Sequence, residues 1–262
     1  MGKKIVITSG KGGVGKTTFT ANIGRALANL GASVVLVDVD FGLNNLDVVM
    51  GVENSVVFDL LDVFEGRCRI KQALIQDKDL INLFILPSYN VNSACELKSQ
   101  NIKLILEGIS KIFDYILIDC PAGVDIGFHK AVSCADEAIV VTTPNVTSLR
   151  DAGKAISILK SYKLDAISLV INRARGDLMM SDKMMFPADI KDVLKIDLLG
   201  VLPEEDEVFL SSGYSLASKS ESFKAYKIIA QNILKNKRKI YDVTNKYSGF
   251  FGSIRRSLKK SI

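Results

Sequence analysis

Gly10-Lys11-Gly12-Gly13-Val14-Gly15-Lys16-Thr17-Thr18 decides how the rest of this chain reads. The stretch satisfies G-x-x-x-x-G-K-[ST]. It follows the β-branched run Lys4–Thr8 and opens the amphipathic run Thr18–Leu30, so it stands between a strand and a helix, the context its chemistry requires. The glycines let successive backbone N–H groups curl around phosphate oxygens, and the helix N-terminus adds the positive end of a dipole. Lys16 can reach the β- and γ-phosphates, and Thr17 can offer its hydroxyl to Mg²⁺.

Outward from the loop, Ile23, Ala26, Leu27 and Leu30 form one helical stripe, Gly31 stops it, and Ser33–Val37 reads as a second strand. The pattern repeats downstream. Strands are expected at Ile81–Leu86, Tyr115–Asp119, Ala138–Thr142, Ala166–Ile171 and Leu198–Leu202, and helices near 97–112, 147–162, 187–195 and 222–238. Alternation of this kind predicts an α/β fold: a single doubly wound, mostly parallel sheet with helices on both faces. Residues 173–186, rich in methionine, read as an irregular excursion. Residues 1–238 are expected to be one domain, 239–249 a polar linker and 250–262 a separate terminal segment.

The chain has 262 residues, of which 48% are hydrophobic and 24% charged, which excludes a disordered, collagenous or coiled-coil chain as a global description. No apolar run approaches the roughly 18 residues of a membrane span. The net charge of +5 is uneven: residues 235–262 hold nine Lys/Arg and one acid, so the body is mildly acidic and the end strongly basic. Cys68, Cys95, Cys120 and Cys134 are widely spaced and form no CxxC pair, which reads as free thiols in a reduced, cytoplasmic setting.

Two acidic strand ends lie where ligands bind in open α/β sheets: Val37-Asp38-Val39-Asp40 and Asp119-Cys120-Pro121-Ala122-Gly123. Together with the second loop lysine, Lys11, they make the chain resemble the deviant Walker A ATPases. The resemblance implies ATP and Mg²⁺ as cofactors. It gives Lys16 and Lys11 catalytic charge, Lys11 acting across a homodimer formed in the ATP state. It places Thr17, Asp38 and Asp119 around the metal, Asp40 on the attacking water and Gly123 at the γ-phosphate. Asn172 and Arg173, with Pro203 and Glu204, would finish the adenine pocket.

Within that group, Phe41-Gly42-Leu43-Asn44-Asn45-Leu46-Asp47, Met50-Gly51, Ala135–Ala138 and Pro144–Ala152 are similar to the MinD family, over essentially the whole chain. That resemblance implies an ATPase that cycles on the membrane and helps place the bacterial division septum. Its partners would be a MinC-like inhibitor and a MinE-like or equivalent topological factor, with the helix beginning near Thr147, including Asp151, as docking face. Two positions depart from the family: Asn145 stands where an acid is expected after the proline, and Glu205 intervenes before Asp206.

Phe250, Ile254, Leu258 and Ile262 recur every four residues beside Phe251, flanked by Arg255, Arg256, Lys259 and Lys260. This is an amphipathic basic helix suited to an anionic membrane interface. Phosphates alone have no use for the apolar stripe, so no nucleic acid partner is expected. Three alternatives stay open: a MinD-like flagellar-number regulator of the FlhG type, a ParA-type DNA-partitioning ATPase, and an iron–sulfur carrier using Cys95 and Cys134. His129 reads as a surface or packing residue.

Overall fold

The computed structural model describes residues 1–41, 45–88, 97–211, 214–249 and 252. In chain order the elements are β1 (Lys3–Thr8), α1 (Lys16–Asn29), β2 (Val34–Asp38), α2 (Leu46–Met50), α3 (Leu60–Phe64), α4 (Ile70–Ala73), β3 (Ile75–Gln76), β4 (Leu83–Leu86), α5 (Ser99–Ile109), β5 (Tyr115–Asp119), α6 (Ile126–Val132), β6 (Glu137–Thr142), α7 (Val146–Leu159), β7 (Ala166–Ala174), α8 (Gly176–Met179), α9 (Pro187–Leu194), β8 (Asp197–Pro203), α10 (Asp206–Leu210) and α11 (Glu221–Lys235). Among the described residues the strands make one eight-stranded sheet, ordered β3-β4-β2-β5-β1-β6-β7-β8. All pairings are parallel except β3 with β4.

Alternation along the strands builds two cores. Val6, Val35, Val37, Ile116, Ile118 and Val140 face one way, toward α5, α6 and α7. Ile5, Ile7, Val34, Leu36, Leu117 and Val141 face the other, toward α1 and α11. Both faces are buried, which is why the strands read as continuous apolar runs. Each fully buried Ile or Leu contributes about 1.5–3 kcal/mol, so the central strands form the rigid floor beneath everything at their carboxyl ends. Helix α1 follows β1 on one face and α7 follows β6 on the other. The crevice between them, at the carboxyl edge, is the topological switch point.

The expected elements are present, with instructive differences. Ile81 is 83% exposed and β4 begins only at Leu83, because the preceding turn is held by Asp77, whose carboxylate accepts the Asp79 and Leu80 N–H groups. Strand β7 runs on to Ala174 with an irregular register against β8. The stretch from residue 239, expected as a linker, packs on the body. Asn232 on α11 donates to the Leu199 and Lys239 carbonyls and accepts the Lys239 N–H. The Tyr241 hydroxyl donates to the Glu221 carboxylate. Val243 and Tyr247 are buried. A Cβ on Gly176 would lie 2.0 Å from the Val243 carbonyl oxygen, so glycine is what lets this strap close on α8. A polar average concealed these few anchors.

The amphipathic segment with Phe250, Phe251, Ile254, Arg255, Arg256, Leu258, Lys259, Lys260 and Ile262 lies outside the described residues, as does Cys95. Among the described residues no helix is long and apolar enough to cross a membrane.

Candidate nucleotide site

The loop after β1 takes its shape from glycine. Gly13 and Gly15 have φ of 77° and 92°, the left-handed region that side chains resist. Gly10 is required by proximity instead: a Cβ there would sit 2.0 Å from the Asp151 carbonyl oxygen on α7. No side chain caps the N-terminus of α1. Its first amides are therefore left for an anion, at the positive end of the helix dipole.

Lys16 is buried at that N-terminus, whereas Lys11 stands exposed at the loop tip, its carbonyl accepting the Ser9 hydroxyl at 2.7 Å. Facing Lys16 are the ends of β2 and β5, paired so that Asp38 and Asp119 are neighbours. Both carboxylates are almost wholly buried. Burial and the adjacent Asp119 push the Asp38 carboxyl up to about 8. Burial pushes Asp119 up to about 6, against the opposing pull of the Thr17 hydroxyl, Lys16 and Thr20. Asp40 is half-buried and also raised by burial, with Lys16 opposing. The deficit that favours a proton here also favours a divalent cation, so the donor set of Thr17, Asp119 and Asp38 fits Mg²⁺.

Asp38 has a second task. Its Oδ1 accepts the Asp40 N–H at 2.8 Å and its Oδ2 the Leu46 N–H at 3.3 Å, so it fastens both ends of the loop that carries Asp40. Thr20 was not expected. Its hydroxyl lies 3.0 Å from Asp119 Oδ1, with the Lys16 carbonyl as a second partner. Its position one turn beyond Thr17 on α1 was the available signal.

The residues expected to hold the nucleoside come from separated pieces. A cavity of ≈ 310 Å³ lies beside Gly15 and Thr18, walled by Asn172, Arg173, Pro203 and Glu204. Asn172 Nδ2 donates to the Val14 carbonyl at 2.8 Å and its Oδ1 accepts the Arg173 N–H at 2.9 Å. One N–H and one lone pair of the amide remain for a base. Arg173 holds φ of 54°, a strained left-handed conformation for an arginine. Gly123, at φ of 87°, turns the chain after Asp119.

Comparisons with known proteins identify the family and the fold. The AAA domain family model matches residues 2–171. The septum site-determining protein MinD of Bacillus subtilis (strain 168) is 46% identical over 240 residues, covering 89% of this chain and 90% of that protein. The chain belongs to the MinD family. A chain of the MinC:MinD cell division protein complex of Aquifex aeolicus superposes with TM-score 0.82 at 40% identity, covering 88% of this chain and 95% of that one. MinD complexed with Mg-ADP from Pyrococcus horikoshii OT3 gives TM-score 0.78 at 31% identity, covering 90% and 97%.

Against the family pattern, Asn145 has a local reason. It caps α7 by accepting the Ser148 N–H at 2.9 Å, and its Nδ2 donates to the Thr143 hydroxyl at 2.8 Å, a donation no carboxylate makes. His129 is exposed and stacks on Tyr162, with Nδ1 and the phenol oxygen 2.5 Å apart. The buried Cys134 thiol has the Lys130 and Ser99 carbonyls as alternative acceptors for its one S–H, and burial holds the Cys120 thiol up to about 12. Both behave as inert core thiols.

Proposed function

We propose that this chain hydrolyses ATP, dimerises in the ATP state, and uses that cycle to place its C-terminal segment on the membrane and so help position the division septum. The observation that carries the reading is the pairing of an uncapped α1 N-terminus and buried Lys16 with the Asp38–Asp119 couple, in a chain of the MinD family. The loop amides and Lys16 would hold the phosphates, with Thr17, Asp119 and Asp38 around Mg²⁺, which neutralises phosphate charge when bound. Asp40 would orient the attacking water from the loop that Asp38 fastens, and Gly123 would offer its N–H to the γ-phosphate. Asn172, Arg173, Pro203 and Glu204 would embrace the adenine. Lys11, exposed and free to cross to a second subunit, would supply charge only on dimerisation, a contribution of order 10³–10⁵ where such fingers act in trans.

The strap supports the membrane half of the reading. Val243 and Tyr247 rest on Gly176, just past the carboxyl end of β7, so the described strap lies at the same edge of the sheet as the phosphate loop. A dimer joined at that edge brings two tails to one side. Each basic residue near anionic lipid adds about 1 kcal/mol, but ordering the backbone costs roughly 1–2 kcal/mol per residue. One tail holds weakly, and two gain avidity of about 10²–10⁴. A MinC-like inhibitor and a MinE-like factor would then meet the α7 face, a peripheral protein on the inner surface of the cell membrane.

Co-sedimentation with vesicles containing anionic lipid tests this, with ATP, ADP or no nucleotide. A chain ending at Gly249 keeps the Tyr247 anchor and removes only the amphipathic segment. Binding that needs ATP and is lost on truncation is expected. Binding indifferent to nucleotide would defeat the cycle, and ATP turnover no faster than buffer would defeat the enzyme.

A further inference from the structure

The start of α11 forms part of the wall of the nucleoside cavity, and no part of the phosphate chemistry uses it. Ser220 is the N-cap of α11: its hydroxyl accepts the Phe223 N–H at 3.0 Å. Ser222, two residues on, has its own backbone N–H bound by Glu205 Oε2 at 2.8 Å. Thus the carboxylate that interrupts the Pro203-Glu204-Asp206 corner reaches across to α11 and fixes where its first turn sits. Ser222 is wholly buried, it belongs to the cavity wall with Asn172, Pro203 and Glu205, and among the described residues its hydroxyl has no hydrogen-bond partner. The neighbouring hydroxyl of Tyr226 differs, since Asn22 bonds it. A buried hydroxyl without a partner is costly to keep and is rare in folded proteins.

We infer that Ser222 is a specificity-determining residue for the nucleoside, its hydroxyl completing its hydrogen bonding on the bound base or ribose, with Glu205 as the residue that positions it. The inference rests on the nucleotide reading given above and names a contact within it. A serine hydroxyl both donates and accepts, so it can meet a purine ring nitrogen, an exocyclic amine or a ribose hydroxyl. The geometry makes two demands at once. Without nucleotide the hydroxyl is a burden on the fold; with nucleotide it is a contact. A merely structural serine would show the opposite pattern, supporting the free protein and leaving affinity alone.

The test is Ser222→Ala in the full chain, with Mg²⁺ and, in turn, ATP, 2′-deoxy-ATP and GTP as probes. Equilibrium binding and thermal unfolding are read on each protein. Loss of one hydrogen bond to a neutral group predicts a roughly threefold to tenfold rise in Kd for ATP. The free variant is expected to unfold at the same or a higher temperature than the wild type, and the stabilisation by ATP to shrink. A ribose contact makes the loss smaller with 2′-deoxy-ATP; a base contact makes it smaller with GTP. Either result supports the assignment. Ser222→Ala binding all three nucleotides as the wild type does, or unfolding earlier without nucleotide while keeping wild-type affinity, would overturn it. A wild type that binds none of them removes the nucleotide reading and this inference together, whereas wild-type binding with an unaltered variant removes the inference alone.

Discussion

The two halves of the proposed nucleotide cleft are built on opposite plans. The phosphate half is centred on one continuous stretch: Gly10–Thr18, with the ends of β2 and β5 beside it, concentrates charge and glycine-shaped backbone in a small volume. The half proposed for the nucleoside is a cavity walled by Asn172 and Arg173 from β7, Pro203 and Glu204 from the end of β8, and Ser222 from α11. It relies on packing and on single hydrogen bonds, such as those of Asn172 and of the Glu205 carboxylate. Chemistry that must stabilise several negative charges needs fixed dipoles and cations on a rigid floor, and contiguity is the cheapest way to fix them. A base needs only a shaped slot, which distant segments can share.

The largest effect expected falls on the phosphate side. Lys16→Ala removes the buried cation that opposes the charge on Asp40 and Asp119. Turnover measured by phosphate release should drop by about 10²–10³ or more, with nucleotide affinity falling alongside. A Lys16→Ala protein that still hydrolyses ATP at half the wild-type rate would make the loop a bystander. Next comes Gly10→Ala. Its Cβ would meet the Asp151 backbone, which cannot rotate away, so the loop and α7 must separate. Overpacking of that kind costs about 3 kcal/mol, and thermal unfolding should fall by roughly 5–10 °C. If that variant is as stable as the wild type, the tight approach of α7 is not a feature of the molecule in solution.

Outside the phosphate half, Asn232→Ala strips three hydrogen bonds from the strap and orphans the Leu199 and Lys239 groups they satisfied. Each such loss is worth about 1 kcal/mol. Unfolding should move down by about 5 °C, limited proteolysis should begin in 239–249, and nucleotide affinity should stay put. Undiminished protection of the strap would show that Val243 and Tyr247 hold it without the clip.

The same contrast explains what could be read in advance. The parallel sheet was legible because strands buried on both faces are apolar throughout, and the phosphate loop because its residues are neighbours in sequence. Asp119 was legible once the loop was placed, since the strand end beside β1 must face it. Ser222 was not. In Ser220-Glu221-Ser222, either serine reads as a helix cap, and only the fold shows that Ser220 takes the role and Ser222 is buried in a cavity wall. The strap was missed for a related reason. Val243 and Tyr247 are single apolar residues in a polar run, without periodicity, and their burial depends on the glycine at 176 some seventy residues earlier. Asn145 was noticed as a departure, but its cause lay in Thr143 and Ser148, which only become partners once α7 is capped.

The smallest effect expected is a slope. In the folded chain without nucleotide, Asp119 is raised to about 6 and Asp38 to about 8, both above the ordinary carboxylate range of the unfolded chain. The folded state therefore binds more protons than the unfolded state between about pH 4 and 8. Stability from this couple is fully present below that window and lost as pH rises through it. The free protein should unfold a few degrees lower at pH 8 than at pH 5.5, and Asp38→Asn should flatten that dependence whatever it does to the absolute stability. Mg²⁺ with ADP should flatten it too, because a cation replaces the protons, and calorimetry in buffers of different ionisation enthalpy should record proton release on binding at pH 6.5. Among the described residues the nucleoside half contains no such buried carboxylate pair, so Asn172→Ala should leave the slope as it was. If Asn172→Ala flattened the slope as much as Asp38→Asn, the charge strain would be shared across the cleft, and the division between its two halves would fail.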